Sequence, residues 1–338
     1  MSGTERAGAL HPVVRLAPAK LNLTLAVLSV RPDGFHDLHS VMVPLALTDR
    51  LSLARAAGQV DSVHVAGGAD GRRTLNPSGF GSVLTGIAEA RRAVGRGADT
   101  FPLAVRLEKR IPIAAGLAGG SSDAAAAIDG ALEAWGAELD PEDRRRAAAA
   151  TGSDVPFFLA GGAALIEGRG ERVTLLTGVI GDPPGVLLVT PAVGAATRAV
   201  FATFDADPAA TPANRGSTRL SSEHLAAELS PGHPPMRAAG LVSRAGVLAV
   251  ANDLANAADL VVPGLRPFRR ALMRLLGVPI GLSGSGPTLW ALYPALGGAA
   301  DAADRVREQL RLGLLDSPGS GAPFVAATTI ECQPVREP

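Results

Sequence analysis

Alternating apolar residues predict a strand near the start of the chain. Residues 13 to 28 read VVRLAPAKLNLTLAVL, and every odd position from 17 to 27 is apolar. Because side chains along a strand alternate between its two faces, Lys20, Asn22 and Thr24 share the opposite face. Three polar side chains in register on one face indicate the lining of a site.

Other segments continue with short strands and longer helices. After this first strand, alternation predicts further strands as far as residue 53. It also predicts strands at residues 60–65, 101–107, 163–166, 172–176, 186–190, 279–283, 289–293 and 324–330. Helical spacing and cap residues predict helices late in 76–92, from the glycine-rich segment to Trp135, from Asp140 to Gly152, over 252–276 and over 299–310. The Pro-, Ser- and Ala-rich segment 206–235 is predicted to be a loop.

The mixture of strands and helices in both halves indicates an α+β fold, because strict βαβ alternation is missing. The turn-forming cluster GDPPG at 181–185 is the predicted boundary between two domains, which comprise residues 10–180 and 181–332. A chain of 338 residues has the length expected of two domains.

Composition narrows the class of protein. Lys and Arg number 32, as do Asp and Glu, so the net charge of zero gives no general attraction to nucleic acids or anionic membranes. No apolar run reaches the roughly 18 residues of a membrane helix, and the segment MSGTERAGALHP lacks the apolar core of a signal peptide. The one cysteine, Cys332, excludes an internal disulfide. We therefore expect a cytoplasmic monomer or homodimer with a small-molecule substrate, and neither a nucleic-acid nor a membrane partner.

Lysine is unusually rare in this chain. The chain has only Lys20 and Lys109, and all its other basic residues apart from histidine are arginine. A compact ammonium and a planar guanidinium differ in geometry and hydration, so these two positions are predicted to require lysine specifically.

A glycine- and serine-rich segment, Gly116 to Ser122, lies between a predicted strand and a predicted helix. Backbone N–H groups at such a helix start can hold phosphate oxygens, and the two serine hydroxyls can add contacts to phosphate or Mg²⁺. The segment matches neither the Walker A loop nor GxGxxG. By itself it is equally compatible with a flexible connection before an ordinary helix.

Three further groups are candidates for chemistry. Asp154 lies in a turn between Gly152 and apolar residues, where its carboxylate could accept a hydroxyl proton or cap a helix. His36 and His39 lack a third ligand at suitable spacing, which favours polar loop residues over a metal pair. The small-residue turn LSGSGPT at 282–288 is either a hairpin bend or a place where backbone meets ligand.

The order of these motifs resembles that of a known superfamily. PAKLNL at 18–23, IPIAAGLAGGSSDAA at 111–125, GSDVPFF at 152–158 and LSGSGPT at 282–288 follow one another as in the GHMP kinases. RPDGFHDL at 31–38 and the Asn252-Asp253 pair make the chain similar, within that superfamily, to the kinases of 4-diphosphocytidyl-2-C-methyl-D-erythritol. The resemblance implies a two-domain α+β fold, with an N-terminal domain like domain 2 of ribosomal protein S5 and a C-terminal ferredoxin-like α/β sandwich.

The resemblance also implies an activity and a nucleotide site. It implies phosphorylation of the 2-hydroxyl of that compound by ATP with Mg²⁺, in the non-mevalonate isoprenoid pathway. Asp154 corresponds to the catalytic base, Lys20 to its partner, and Asn22 to a residue beside them at the methylerythritol end. Lys109 corresponds to a lysine beside the adenine pocket. The implied phosphate loop comprises Pro112, Ala114, Ala115, Gly116, Leu117, Ala118, Gly119, Gly120, Ser121 and Ser122, with Ser122 as the implied magnesium ligand.

Five residues correspond to the substrate site of those kinases. Phe35 and His36 match the pair that holds cytosine by stacking and hydrogen bonding, and Phe201 matches the aromatic residue on the other side of the base. Gly284 and Ser285 match a motif near the substrate's phosphates.

The chain departs from the superfamily pattern in its phosphate loop. Ala114, Ala115 and Ala118 stand where many members have glycine, and a methyl group is tolerated well only where φ is negative. Phe35 replaces a frequent tyrosine, and Ser82 stands at a position in the adenine pocket that is often asparagine. We therefore expect an altered nucleotide affinity.

Three alternatives remain open at this point. Another GHMP kinase, for homoserine or mevalonate, is disfavoured by the PDGFH segment. A catalytically inert nucleotide-binding regulator is disfavoured because Lys20 and Asp154 are both present. A nucleic-acid-binding module is disfavoured by the zero net charge and the lack of a basic tract with interleaved aromatic residues.

Overall fold

A long central strand organises the first half of the chain. In the computed structural model, which describes residues 12–56, 58–66, 81–95, 97, 101–207 and 212–331, strand β3 (His36–Arg55) has neighbours on both sides. It pairs with β1 (Val13–Asn22), β2 (Ala26–Val30), β5 (Leu103–Glu108) and β6 (Ala164–Gly168), all antiparallel. β4 (Ser62–Ala66) pairs parallel with β5, and β7 (Arg172–Leu175) closes the other edge of this seven-stranded sheet. Cys332 and positions 76–80 of a predicted helix lie outside the described residues.

Four helices cover this sheet or extend it: α1 (Gly81–Ala93), α2 (Gly119–Trp135), α3 (Pro141–Thr151) and α4 (Val155–Ala160). Alanines on α2 allow a close approach to the sheet, where Leu51, Leu53 and Leu107 are fully buried. A methyl group on Gly130 would come within 2.6 Å of Leu53 Cδ1. A glycine at this position therefore allows the close contact between α2 and the sheet. Both α2 and α3 were predicted correctly.

The second half of the chain contributes a smaller antiparallel sheet in the order β11 (Gly281–Leu282), β12 (Leu289–Tyr293), β9 (Gly185–Thr190) and β13 (Phe324–Thr329). Around it lie α5 (Thr197–Asp205), α7 (Ala238–Ser243), α8 (Ala245–Leu248), α9 (Ala255–Val261), α10 (Leu265–Leu276) and α11 (Leu296–Arg311). β8 (Val179–Ile180) and β10 (Met236–Arg237) form a separate parallel pair. The α+β prediction is confirmed.

One hydrophobic core joins the two sheets. Leu21 and Val43 of the large sheet pack in the same buried cluster as Leu188 and Trp290 of the small one. Burial of such side chains contributes roughly 1.5–3 kcal/mol each. The region between the sheets is therefore a continuous core on which a site can be held rigidly.

Two predictions about local structure were wrong. Segment 206–235, predicted to be a loop, contains helix α6 (Pro212–Glu228), whose end packs Leu225 and then Leu229 into the shared core. Its composition misled because tertiary packing outweighs weak helix propensity. The predicted strand 13–28 is also interrupted, since Leu25 leaves the sheet to form a parallel bridge with Asn252.

Among the described helices, none has the length and apolar character that a bilayer crossing requires.

A buried ion pair is expected to hold α1 to the edge of the large sheet. Arg91, 3% exposed, donates from Nη1 and Nη2 to both oxygens of Asp61 at 2.6 and 2.7 Å, and Asp61 also accepts the N–H of Leu103. Asp61→Ala would remove the carboxylate that faces this buried guanidinium, so we expect the free energy of unfolding to fall by about 3–5 kcal/mol in urea denaturation. Glu142→Ala removes the exposed pair with Arg146 and should change it little. Equal effects from the two variants would contradict this.

Candidate active site

A cavity of about 510 Å³ collects most of the predicted site residues. Its lining includes Lys20 and Asn22 from β1, Asp154 before α4, and Phe201 from α5. The remaining predicted residues in the lining are Lys109, Pro112, Ala114, Ala115, Gly116, Ala118, Gly119, Gly120, Ser121, Gly284 and Ser285. Leu117, Ser122, Phe35 and His36 are not part of the lining.

The glycine-rich segment leads directly into α2. Gly119, Gly120 and Ser121, the first residues of this 17-residue helix, line the cavity. The first N–H groups of a helix have no partner within it, and the helix dipole adds partial positive charge there. This end of the cavity therefore suits the phosphate oxygens of a nucleotide.

Two alanines in this segment have left-handed backbone conformations. Ala114 has φ 53° and Ala118 has φ 52°, whereas Ala115 is not among the residues with positive φ. Gly116, at φ 77°, is irreplaceable for a second reason, since a methyl group there would come within 2.2 Å of the Ser283 carbonyl oxygen. The chain therefore keeps the loop geometry with methyl groups at two positions that favour glycine.

A buried ionic cluster lies beneath the loop. Lys109 donates to carboxylate oxygens of Asp49 and Asp123, and all three side chains are nearly inaccessible. The other oxygen of Asp49 accepts the N–H groups of Arg110 and Ile111. Lys109 lines the cavity, but its ammonium is engaged by the two carboxylates and anchors the start of the loop.

Burial and charge oppose each other in this cluster. Burial by itself would lower the pKa of Lys109. The negative charges of Asp123 and Asp49 have the larger combined effect, so the pKa of the lysine is raised. Burial raises the pKa of Asp123 to about 7, with Lys109 opposing the shift. Sequence reasoning missed both aspartates, although Asp123 is the first charge in the long alanine run of α2 and could have drawn attention for that reason.

Ser122 and Asp123 each carry a buried oxygen with no hydrogen-bond partner among the described residues, Ser122 Oγ and Asp123 Oδ1. A hydroxyl oxygen without a partner is compatible with a role as a magnesium ligand, as implied for Ser122. Within the described part of the chain, no group of three or more His, Cys, Asp or Glu side chains forms a metal site.

Lys20 and Asp154 share the central part of the cavity. The pairing of β1 with β3 shifts between Pro18 and Lys20, and Lys20 N–H donates to the Leu117 carbonyl of the loop at 3.1 Å. Its Nζ donates to Asn22 Oδ1. Burial lowers the pKa of Lys20, and the charge of Asp154 opposes this shift. The strand-face prediction for Lys20 and Asn22 is consistent with this contact.

Asp154 precedes α4 at the N-cap position, but its side chain makes no capping hydrogen bond. The alternative role that its turn suggested, a helix cap, is therefore not what the carboxylate performs. Asp154 lines the cavity together with Lys20, and its charge acts on the Lys20 ammonium.

The aromatic residues gather at one end. His36 stacks on Phe201 with ring centroids 4.9 Å apart, and its Nε2 lies 2.7 Å from Asp205 Oδ1. A base between two rings needs a separation of about 7 Å, so none fits between these two. Phe35 is 49% exposed, with the Arg169 guanidinium 5.4 Å from its ring centroid.

The turn after β11 closes the cavity from the second half of the chain. Gly284 approaches Lys20 so closely that a methyl group on it would come within 3.1 Å of Nζ. Asn252 holds the turn by donating to the carbonyls of Leu282 and Gly284, both at 2.9 Å, and Ser285 Oγ contacts Thr197 Oγ1 at 3.0 Å. Sequence reasoning had noted Asn252 only as part of a motif, and the scarcity of asparagine could have marked it.

Comparison with known proteins agrees with this geometry. Residues 83–162 match the model of the GHMP kinases N terminal domain, so the loop, α2 and Asp154 lie in a GHMP kinase domain. The chain is 35% identical to the 4-diphosphocytidyl-2-C-methyl-D-erythritol kinase of Pelotomaculum thermopropionicum, over 87% of this chain and 94% of the relative. It therefore belongs to the family of 4-diphosphocytidyl-2-C-methyl-D-erythritol kinases.

Solved structures confirm the fold. A crystal structure of 4-(cytidine 5'-diphospho)-2C-methyl-D-erythritol kinase superposes with a TM-score of 0.63 at 28% identity, covering 94% of this chain and 99% of that one. A homoserine kinase from Cytophaga hutchinsonii reaches 0.67 at 16% identity, covering 96% of each chain. The GHMP kinase fold is thus shared by enzymes with different names, and the substrate must be inferred from the site.

The two left-handed alanines generate a stability prediction. A left-handed backbone costs an alanine roughly 1–2 kcal/mol, which exceeds the added chain entropy of glycine when unfolded. We expect Ala114→Gly and Ala118→Gly each to raise the free energy of unfolding by up to about 1 kcal/mol. Ala115→Gly, at a buried position outside the left-handed region, should lower it. Chemical denaturation measures all three, and stabilisation by Ala115→Gly alone would contradict the assignment of strain.

Proposed function

We propose that the protein transfers the γ-phosphoryl group of ATP to the 2-hydroxyl of 4-diphosphocytidyl-2-C-methyl-D-erythritol, giving the 2-phosphate and ADP. This would place it in the non-mevalonate isoprenoid pathway. The observation that carries the proposal is one cavity holding the start of α2, buried Lys20 and the uncapped carboxylate of Asp154. Family membership supports the choice of substrate.

In this proposal the ATP phosphates lie against Gly119, Gly120 and Ser121, where N–H groups and the helix dipole stabilise their charge. Lys109 has an indirect role in this proposal, because its ammonium holds the loop in place through Asp49 and Asp123. Gly284 and Ser285 border the same space from the other half of the chain.

Asp154 is the proposed proton acceptor. The substrate oxygen attacks the γ-phosphorus while the bond to the β-phosphate oxygen breaks, and the hydroxyl proton passes to the Asp154 carboxylate. The Lys20 ammonium stabilises negative charge beside the reacting oxygens. Because Lys20 is 4% exposed, water screens this interaction poorly and its effect is strengthened.

Mg²⁺ would supply charge neutralisation on the transferring phosphoryl group. Ser122, whose buried hydroxyl has no partner among the described residues, is the proposed protein ligand.

The proposed cytosine site is the aromatic end, where His36 stacks on Phe201 of the cavity lining. His36 Nε2 lies 2.7 Å from Asp205 Oδ1, and in the neutral tautomer that donates through Nε2, Nδ1 is the proposed acceptor for the exocyclic amino group of the base. Phe35 and Phe201 offer ring faces on which the base can stack. Homoserine and mevalonate have no ring that would use these surfaces.

We also propose that the chain divides into the domains 10–180 and 181–332. The large sheet ends with β7 at Leu175, and the small sheet begins with β9 at Gly185, which supports a boundary in the intervening turn.

The reaction can be tested by coupled ADP release with ATP and Mg²⁺. We expect turnover with 4-diphosphocytidyl-2-C-methyl-D-erythritol and none with homoserine or mevalonate. Asp154→Asn should lower kcat about 10²- to 10⁴-fold, since it removes the proton acceptor, while the Kd for ATP changes by less than about threefold.

Asp182→Asn, a matched change at an exposed turn, should leave kcat unaltered. Turnover of homoserine or mevalonate instead of the cytidine compound would overturn the substrate, and a fully active Asp154→Asn variant would overturn the base.

A second experiment tests the aromatic end. Phe35→Ala removes a stacking surface worth about 1–3 kcal/mol per base, so KM for the cytidine substrate should rise about tenfold or more with kcat nearly unchanged. Phe101→Ala, a change at a similarly exposed ring remote from the cavity, serves as the control. Equal KM values for the two variants would exclude stacking on Phe35.

A further inference from the structure

Ser40, on β3, lies behind the catalytic cavity without lining it. It is 0% exposed, and its hydroxyl joins two hydrogen bonds. Asn22 Nδ2 lies 2.8 Å from Ser40 Oγ, and Ser40 Oγ lies 2.5 Å from the backbone carbonyl of Thr24. Asn22 Oδ1 in turn accepts from Lys20 Nζ. Ser40 is thus two hydrogen bonds away from the ammonium of Lys20.

The directions of these hydrogen bonds follow from the number of hydrogens. A serine hydroxyl has one proton, and a backbone carbonyl can only accept, so the proton of Ser40 is directed to Thr24. Ser40 Oγ can then only accept from Asn22, which requires the amide nitrogen of Asn22 to face Ser40. The amide is planar, so its oxygen must face the other way, towards Lys20.

The Thr24 side chain is held by two neighbouring elements. Thr24 Oγ1 accepts the N–H of Val41 at 3.0 Å and lies 2.8 Å from Ser222 Oγ, a hydrogen bond in which either hydroxyl can be the donor. Ser222, on α6, lies 3.2 Å from the His39 carbonyl, to which it donates. His39 Nδ1 also lies 2.8 Å from Ser222 Oγ. The Thr24 side chain is therefore held between β3 and α6, which keeps the Thr24 carbonyl beside Ser40.

We propose that Ser40 is a positioning residue of the phosphoryl-transfer site, because its oxygen orients the Asn22 amide so that a carbonyl oxygen faces the Lys20 ammonium. This role rests on the proposed function for its catalytic meaning, although the orientation itself is a property of the folded protein. Asn22 then serves mainly to hold Lys20, since both its polar atoms are engaged within the protein.

Loss of the Ser40 oxygen would have a defined consequence. The Asn22 amide could turn over, which would present its NH₂ group to Lys20 and repel the ammonium. Hydrogen bonds to the charged form favour that form, so their loss lowers the pKa of a lysine. The charged neighbour of Lys20 that opposes its desolvation, Asp154, would be unchanged.

The presence of only two lysines makes a direct measurement feasible. In full-length protein labelled with ¹³C at lysine Cε, NMR should show two side-chain signals, with Lys109 as an internal reference. We expect Ser40→Ala to lower the titration midpoint of Lys20 by about 1 pH unit and to leave Lys109 unmoved. Ser40→Thr, which retains the hydroxyl, should restore the wild-type midpoint.

Ser230→Ala is the matched control. It removes a serine hydroxyl that donates to the Ala226 carbonyl far from Lys20, and should move neither lysine. Ser40→Cys keeps the volume of the side chain with a weak acceptor and provides a second variant if Ser40→Ala folds poorly. An unmoved Lys20 midpoint in folded Ser40→Ala or Ser40→Cys would overturn the proposal.

A double-variant cycle separates orientation from general damage. A carboxylate accepts hydrogen bonds through both oxygens, so Asn22→Asp needs no orienting partner. In that background, Ser40→Ala should shift the Lys20 midpoint by less than about 0.3 pH unit. A shift as large as in the wild-type background would contradict the orienting role.

Kinetics then connect the geometry to the reaction. Ser40→Ala should lower kcat about tenfold with KM for ATP within about twofold of wild type, and Ser40→Thr should recover kcat. If the wild-type protein does not turn over the cytidine substrate, the proposed function is wrong. The NMR titration then still tests whether Ser40 orients Asn22. If wild type is active and Ser40→Ala matches it, the role of Ser40 fails by itself.

Discussion

The glycine-rich loop before α2 depends on one buried interaction, the cluster of Lys109 with Asp49 and Asp123. It ties the end of β3, the residues after β5 and the first turn of α2 to a single point. Buried charges are stable only when they are paired and hydrogen-bonded, so this cluster constrains all three elements at once. That anchoring explains how Ala114 and Ala118 can retain left-handed conformations, because the surrounding structure determines the backbone.

Local signals in the sequence were sufficient for much of the fold. Asp140 followed by Pro141 predicts the start of α3, and the observed cap has the Asp140 carboxylate accepting two backbone N–H groups. Period-two alternation placed Lys20 and Asn22 on one face of β1. Helix α6 could not be predicted in this way, because its stability comes from packing Leu225 against a core built from both halves of the chain.

The candidate site also contains some residues that the sequence indicated and others that it did not. The glycine-rich loop, Lys20 and Asp154 occur in recognisable motifs, and the structure brings them into one cavity. Asp49 and Asp123 escaped notice because their partner, Lys109, is distant in the sequence. Ser40 and Asn252 form hydrogen bonds to other site residues, and of the two only Asn252, through the Asn252-Asp253 motif, had a signal in the sequence.

The contacts between the loop and the turn after β11 end on backbone carbonyls of the loop. Ser283 Oγ donates to the Gly116 carbonyl, and the N–H of Thr288 donates to the Ala115 carbonyl. Because both acceptors are main-chain carbonyls, these contacts do not depend on which side chains the loop carries, and the alanines at 114 and 118 leave them in place.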